Sequence, residues 1–264
     1  LKVAAVQTIA STNVAHNLDR AAALIARAVQ RGAQLVLLPE YFCLMGASDT
    51  DKVRVAEKPG DGPIQQFLSD TARKHGIWLL GGTVPLQHPD GDKVWNSLLT
   101  FDPQGTQASR YDKIHLFRFT KGSESYDEAR TIGAGTQPTS VRCGDLSVGL
   151  SICYDLRFPE LYRKLGLLDL IVVPAAFTYT TGKAHWQTLL CARAIENQCY
   201  VLASGQGGLH ENGRRTWGHS MLIDPWGHVL AELPEGEGVV VGDVDSAKIA
   251  SVRESLPALS HRVM

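Results

Sequence analysis

Two rhythms of apolar and polar positions take turns along the chain. Residues 2–8 read as a strand, and Asn13 then offers a helix cap ahead of Leu18, Ala22, Ile25 and Val29, which recur on one helical face until Gly32. The run Gln34-Leu35-Val36-Leu37-Leu38 is apolar without a break, as in a strand covered on both faces, and Pro39-Glu40 ends it. The same unit returns as a helix over 63–75 closed by Gly76 and a strand over 77–84. It returns once more as a strand over 146–153, a helix over 158–165 and a strand over 170–174. A helix over 184–197 and a strand over 199–204 follow.

Hairpins are interleaved with these units. Strand-like runs over 94–102 and 107–113 flank the turn Asp102-Pro103-Gln104-Gly105, and 220–230 turns at Asp224-Pro225-Trp226-Gly227. The sheet content is therefore mixed. The polar stretch 120–138 has no sustained period and reads as an ordered surface loop beside the site that the strands build. No composition break divides the chain, so residues 1–264 are expected to form one layered α/β domain. Periodicity leaves open whether the strands form one sheet or two between the helices.

Composition narrows the function classes. Lys and Arg number 26 against 27 Asp and Glu, a net charge of -1, so no basic stripe invites nucleic acid or anionic lipid. The longest apolar run, 170–177, is far short of the ~18 residues of a membrane-spanning helix. The start of the chain reads as a strand rather than a secretion signal. Cys43, Cys143, Cys153, Cys191 and Cys199 form an odd set without a C-x-x-C pair, which argues against a disulfide framework or zinc knuckle and suits a reducing cytoplasm. The usual metalloprotease, phosphate-loop and dinucleotide motifs are absent, so no metal or organic cofactor is expected, and 205–208 reads as a plain glycine-rich turn.

In open α/β folds ligands gather at the carboxyl ends of strands, where Glu40, Lys113 and Cys153 all lie. Cys153 falls at a sharp strand-to-helix turn, which would expose its side chain, bring amide hydrogens and a helix start near it, and lower its pKa. The bland alternatives are a buried structural thiol, a first-turn or loop acid, and a solvated lysine at a strand end. Jointly the three residues supply a nucleophile, a proton acceptor and a positive charge for a developing oxyanion, the set that acyl transfer needs. His115 and His185, the latter read as a helix cap, are rival bases or ordinary hydrogen bonders. Arg157 either meets a substrate carboxylate or pairs with Asp155 or Glu160.

Leu37-Leu38-Pro39-Glu40, Tyr111-Asp112-Lys113-Ile114-His115-Leu116-Phe117 and Ser151-Ile152-Cys153-Tyr154-Asp155-Leu156-Arg157-Phe158-Pro159-Glu160 together resemble the nitrilase, or carbon–nitrogen hydrolase, superfamily. The resemblance implies an αββα sandwich, two mixed sheets face to face with helices outside, assembled as a homodimer or larger homo-oligomer. It also implies Glu40 as base, Lys113 as stabiliser of the intermediate, Cys153 as nucleophile and Glu128 as a supporting carboxylate. By their own chemistry and their place beside Cys153, the Tyr154 amide is expected to help Lys113 at the oxyanion, and Arg157 is the candidate for a substrate carboxylate. The segments around Ala184-His185-Trp186, 193–201 and 218–227 look like the branch that contains deaminated-glutathione amidase, with ω-amidase the near alternative. The expected activity is hydrolysis of a small carboxylate-bearing amide to acid and ammonia through a Cys thioester. The alternatives are a second enzymatic reading, a Cys/His peptide hydrolase, and, from a different class, a silent binding or scaffold protein on the same fold.

Overall fold

The structure is a computed structural model that describes residues 1–122 and 124–263. Its first part contains β1 (Lys2–Gln7), α1 (Val14–Gln30), β2 (Leu35–Leu37), α2 (Asp51–Arg54), α3 (Pro63–His75), β3 (Trp78–Leu80), β4 (Val84–Gln87), β5 (Val94–Phe101) and β6 (Gln107–Asp112). A hairpin of β7 (Arg118–Lys121) and β8 (Glu124–Asp127) precedes the two-residue β9 (Ile132–Gly133). The second part contains β10 (Ser140–Cys143), β11 (Leu146–Leu150), α4 (Pro159–Lys164), β12 (Leu170–Ala175), α5 (Tyr179–Asn197), β13 (Tyr200–Gly205), β14 (Ser220–Ile223) and β15 (Val229–Leu233). β16 (Gly238–Asp243) and α6 (Ser246–Ser255) follow.

The strands form two main mixed sheets. One runs β16-β1-β2-β3-β5-β4, with β6 and β9 also paired to the long β5; the other runs β10-β11-β12-β13-β14-β15. Alternation of side chains along β1 explains why they stack. Val3 and Ala5, with Leu35, Leu37 and Leu80, enter one core with Val148, Leu150 and Val172 of the second sheet. Ala4 and Val6, with Val36 and Leu79, pack instead on Leu24, Ile25 and Ala28 of α1 and Leu68 of α3. On the far side α5 buries Trp186, Leu190 and Ala194. Each sheet thus has a helix-covered face, which resolves the choice between one sheet and two in favour of the αββα sandwich.

Helix ends follow local chemistry. The Asn13 side chain accepts from the His16 amide at 3.0 Å, and α3 starts at Pro63 and stops at Gly76 with φ of 62°. The buried stripe of α1 is Asn17, Ala21, Leu24, Ile25 and Ala28, so Leu18 and Val29 lie at its margin.

Four expectations change. The run 77–84 is two strands, because Gly81-Gly82 breaks it and β3 and β4 pair with successive parts of β5. The stretch 120–138, which includes Ser123 outside the described residues, holds most of the β7–β8 hairpin, a 3-10 turn at Glu128–Arg130 and β9, all of which its short elements and weak alternation concealed. α5 starts at Tyr179 rather than 184, so His185 sits within the helix and does not cap it. Gly182 is tolerated there because Trp217 packs where its Cβ would stand, 2.3 Å away. β10, β16 and α6 lie outside the elements expected from periodicity.

Topology places the strand ends that matter. β1, β2 and β3 are parallel, and β6 is antiparallel to β5, itself antiparallel to β3. β6 therefore runs with β2, so Pro39-Glu40 and Lys113 leave the first sheet at one edge. β11 and β12 are parallel, so Cys153 and Ala176 leave the second sheet together.

Candidate active site

Glu40 is 1% exposed, and its carboxylate faces donors only. Oε1 accepts from Asn96 Nδ2 and from Lys113 Nζ, both at 2.9 Å, and Oε2 accepts from the Ala176 amide at 2.9 Å. Its backbone carbonyl accepts from Gln206 Nε2 at 2.9 Å. Gln206 Oε1 in turn accepts from the Ala10 amide and the Thr8 hydroxyl, so the expected plain turn at 205–208 carries a buried bracket between the sheets. Gly82 packs against the residue before Glu40: its φ is +56°, and a Cβ there would fall 2.1 Å from the Pro39 carbonyl oxygen.

Lys113 is fully buried. Its ammonium donates to Glu40 and to both oxygens of Glu128, at 2.9 and 2.8 Å. Glu128 also accepts from the Tyr41 hydroxyl at 3.0 Å and the Phe117 amide at 2.7 Å. Burial alone would favour neutral lysine, but the charges of Glu128 and Glu40 outweigh it and hold Lys113 well above its ordinary range. Burial likewise favours a neutral Glu128, yet the charge and hydrogen bond of Lys113, with the Phe117 amide and Tyr41, keep it below the ordinary carboxylate range.

Cys153 begins a 3-10 turn that follows β11 after Ser151 and Ile152, with φ of 49°. Such a left-handed conformation is strained for a residue with a Cβ and persists only where the surroundings fix it. Asp155 fixes it. Fully buried, it accepts from the Ile152 amide at 2.9 Å, the Tyr111 hydroxyl at 2.7 Å and the His115 amide at 3.0 Å, and its Oδ1 lies 2.7 Å from His115 Nδ1. The thiol is not exposed as expected but 7% accessible, and its pKa is raised rather than lowered. Desolvation is the main cause; the charge of Glu40 adds to it, Lys113 opposes it, and a hydrogen bond to Glu40 raises it further. The short turn brings amides, but burial and carboxylate outweigh them. The site therefore holds Cys153 as a protonated thiol beside Glu40.

Of the other expected residues only Tyr154 lines the cavity at Cys153. Tyr154 lines a small cavity with Cys153, Phe117, Glu128, Phe177, Thr178 and Arg214. Arg157 makes no ion pair with Asp155 or Glu160; its guanidinium lies 5.3 Å from the Phe177 ring centroid and 5.8 Å from that of Tyr154, with His185 Nδ1 at 3.4 Å. His115 stacks on Phe158 with centroids 3.7 Å apart, and its Nδ1 is taken up with Asp155. That engagement removes the expected sharing of a face with Lys113, because β6 ends at Asp112. Among the described residues no group of three or more His, Cys, Asp or Glu is arranged to hold a metal ion. No helix in them is long and apolar enough to cross a membrane.

Sequence reasoning missed Asn96, Tyr41, Asp155, Gln206 and Arg214. Asn96 carried a faint signal as an amide inside an apolar strand, and Asp155 as an acid three residues after the strand-end Ile152. The others gain meaning only from folding.

The carbon–nitrogen hydrolase family model matches residues 2–254. The chain is 41% identical over 266 residues to a deaminated glutathione amidase of Synechocystis sp., covering 98% of this chain and 97% of the relative. It is 38% identical to the omega-amidase NIT2 of Danio rerio, covering 99% and 94%. The crystal structure of the C. elegans NitFhit protein superposes with a TM-score of 0.92 at 38% identity, covering 99% of this chain; the chain spans 65% of that protein. With fold, strand-end chemistry and near full-length similarity in accord, the chain belongs to the carbon–nitrogen hydrolase family and is a hydrolase of amide C–N bonds.

Proposed function

We propose that Cys153, Glu40 and Lys113 hydrolyse a small carboxylate-bearing amide, with deaminated glutathione as the substrate, through a thioester on Cys153. The observation that carries this reading is the meeting of a strained, buried thiol with a carboxylate that shares a hydrogen bond with a buried ammonium. Glu40 takes the thiol proton as sulfur attacks the carbonyl carbon, and the C=O electron pair becomes an oxyanion beside Lys113 and the Tyr154 amide. The oxyanion re-forms the carbonyl, the C–N bond breaks, and Glu40 returns the proton to the departing nitrogen. Water, deprotonated by Glu40, then attacks the thioester; the acid leaves and sulfur recovers its proton. Glu128 positions Lys113, while Arg157 over Tyr154 and Phe177 receives the acyl-side carboxylate. The nitrogen product is ammonia from a primary amide and cysteinylglycine from deaminated glutathione.

In this reading residues 1–264 act as a single domain in the cytoplasm, with five free cysteines suited to a reducing compartment. Association as a homodimer or larger homo-oligomer is supported by Ile195, Trp226 and Leu230, each about half exposed despite its size. The test is acid formation from deaminated glutathione, α-ketoglutaramate and a simple nitrile, each repeated with Cys153→Ala. The highest kcat/KM on deaminated glutathione, abolished in the variant, is expected. Preference for α-ketoglutaramate selects the ω-amidase reading, and turnover of the nitrile alone overturns both.

A further inference from the structure

The cavity at Cys153 is narrow, about 10 Å³, and too small for a substituted amide. Room exists next door, in a cavity of about 220 Å³ that shares Phe117, Glu128 and Arg214 with it. Arg157 and His185 do not line this larger chamber, whose cations are Arg214 and Lys52. Arg214 Nη2 donates to the Ala176 carbonyl at 3.1 Å and the guanidinium lies 5.1 Å from the Tyr126 ring centroid, but its buried Nε has no partner. An orphaned buried N–H on a cation is costly unless something else accepts from it. Lys52 Nζ donates to the Asp49 carbonyl at 2.8 Å and the Thr131 hydroxyl at 3.1 Å, leaving one of its three protons unused.

Among the described residues neither cation has a carboxylate ion pair, although acids line the same chamber. Glu128 is taken by Lys113, and Asp127 faces Arg118 at 4.0 Å. Asp49 is exposed. Two like charges are thus held in one partly buried hollow that adjoins the nucleophile, an arrangement that an incoming anion would relieve.

We infer that Arg214 and Lys52 form a second anion subsite, which binds a carboxylate on the leaving amine. The proposal rests on the amidase reading above and deepens it. The acyl half of the substrate lies toward Arg157, and the amine half extends past Phe117 into the Arg214 chamber. The enzyme is then selective for amides whose nitrogen bears a short carboxylated chain, such as a peptide-like amine, over primary amides of the same acid.

The experiment uses two amides of one 2-oxo diacid, a primary amide and one whose amine is cysteinylglycine, with wild type, Arg214→Gln, Arg214→Lys and Lys52→Met. The ratio of kcat/KM for the carboxylated over the primary amide is expected to fall about tenfold in Arg214→Gln and in Lys52→Met, and to recover in part in Arg214→Lys. An unchanged ratio overturns the proposal, as does an equal loss on both amides, which would place Arg214 on the acyl half. Lys52→Met carries the test if Arg214→Gln fails to fold. If wild type hydrolyses neither amide, the amidase reading fails by itself. The subsite is then judged by calorimetry of cysteinylglycine on Cys153→Ala. Binding weakened about tenfold by Lys52→Met supports it, and absence of binding overturns it.

Discussion

Glu40 Oε2 accepts a 2.9 Å hydrogen bond from the backbone amide of Ala176, 136 residues further along the chain. The carboxylate rises from the end of β2 in one sheet, and the amide follows β12 in the other. A backbone donor is indifferent to side-chain identity at 176, so the carboxylate's aim depends on the stacking of the sheets.

Because Glu40 raises the Cys153 thiol and Lys113 lowers it, substitutions at the two positions should move the thiol in opposite directions. Glu40→Gln is expected to shift the pH profile of Cys153 alkylation to lower pH, while cutting kcat/KM by about 10²–10⁴. Lys113→Met is expected to shift the profile upward. Peptide-resolved mass spectrometry after alkylation across pH 6–11 reads both, and shifts in the same direction would contradict the assigned charges.

Removal of Lys113 should also be a stability defect. It would leave Glu40 and Glu128 facing a buried gap, and breaking a buried ion pair from one side costs about 3–5 kcal/mol. For a chain of this size that corresponds to a fall in Tm of about 10 °C. The double variant Lys113→Met with Glu128→Gln is expected to regain part of this loss and none of the activity, as scanned by calorimetry and turnover.

Gly82 should tolerate no side chain. In Gly82→Ala the new methyl must displace the Pro39 carbonyl, and the positive φ adds about 1–2 kcal/mol of strain. The expected outcome is a lower Tm together with a kcat reduced about 10²-fold through displacement of Glu40. Wild-type turnover in this variant would show that the carboxylate is held independently of the 81–82 turn.

Alkaline pH should destabilise the protein. Burial pushes Cys43, Cys143 and Cys199 up to about 12, against an ordinary value near 9. With the folded value raised, the stabilisation is complete below pH 9 and drains away as pH rises toward 12, because the unfolded chain releases these protons first. Each thiol costs about 1 kcal/mol per pH unit in that window. Urea midpoints at pH 8 and 10.5 measure it, and equal midpoints would contradict dry surroundings for these sulfurs.

The helix over 63–75 was legible because Pro63 and Gly76 bracket it with unambiguous backbone chemistry. The residues at strand ends were legible for a similar reason, since Pro39 and the apolar run before Cys153 mark where strands stop. The sign of the Cys153 shift was not, because it depends on how much water the folded site excludes, and neighbours in sequence do not report that. The β7–β8 hairpin escaped because its burial is partial on both faces, which erases the period-2 signal. Arg214 carried no sequence mark; its meaning comes from an orphaned Nε beside a hollow.

The bracket formed by Gln206, Glu40 and Ala176 ties chemistry to the seam between two layers. Sliding one layer over the other by an ångström would leave every strand pairing intact and still silence turnover, since reacting groups tolerate so little misplacement. On the proposed mechanism, catalytic competence in this molecule is thus a gauge of layer registry, more sensitive than any measure of secondary structure.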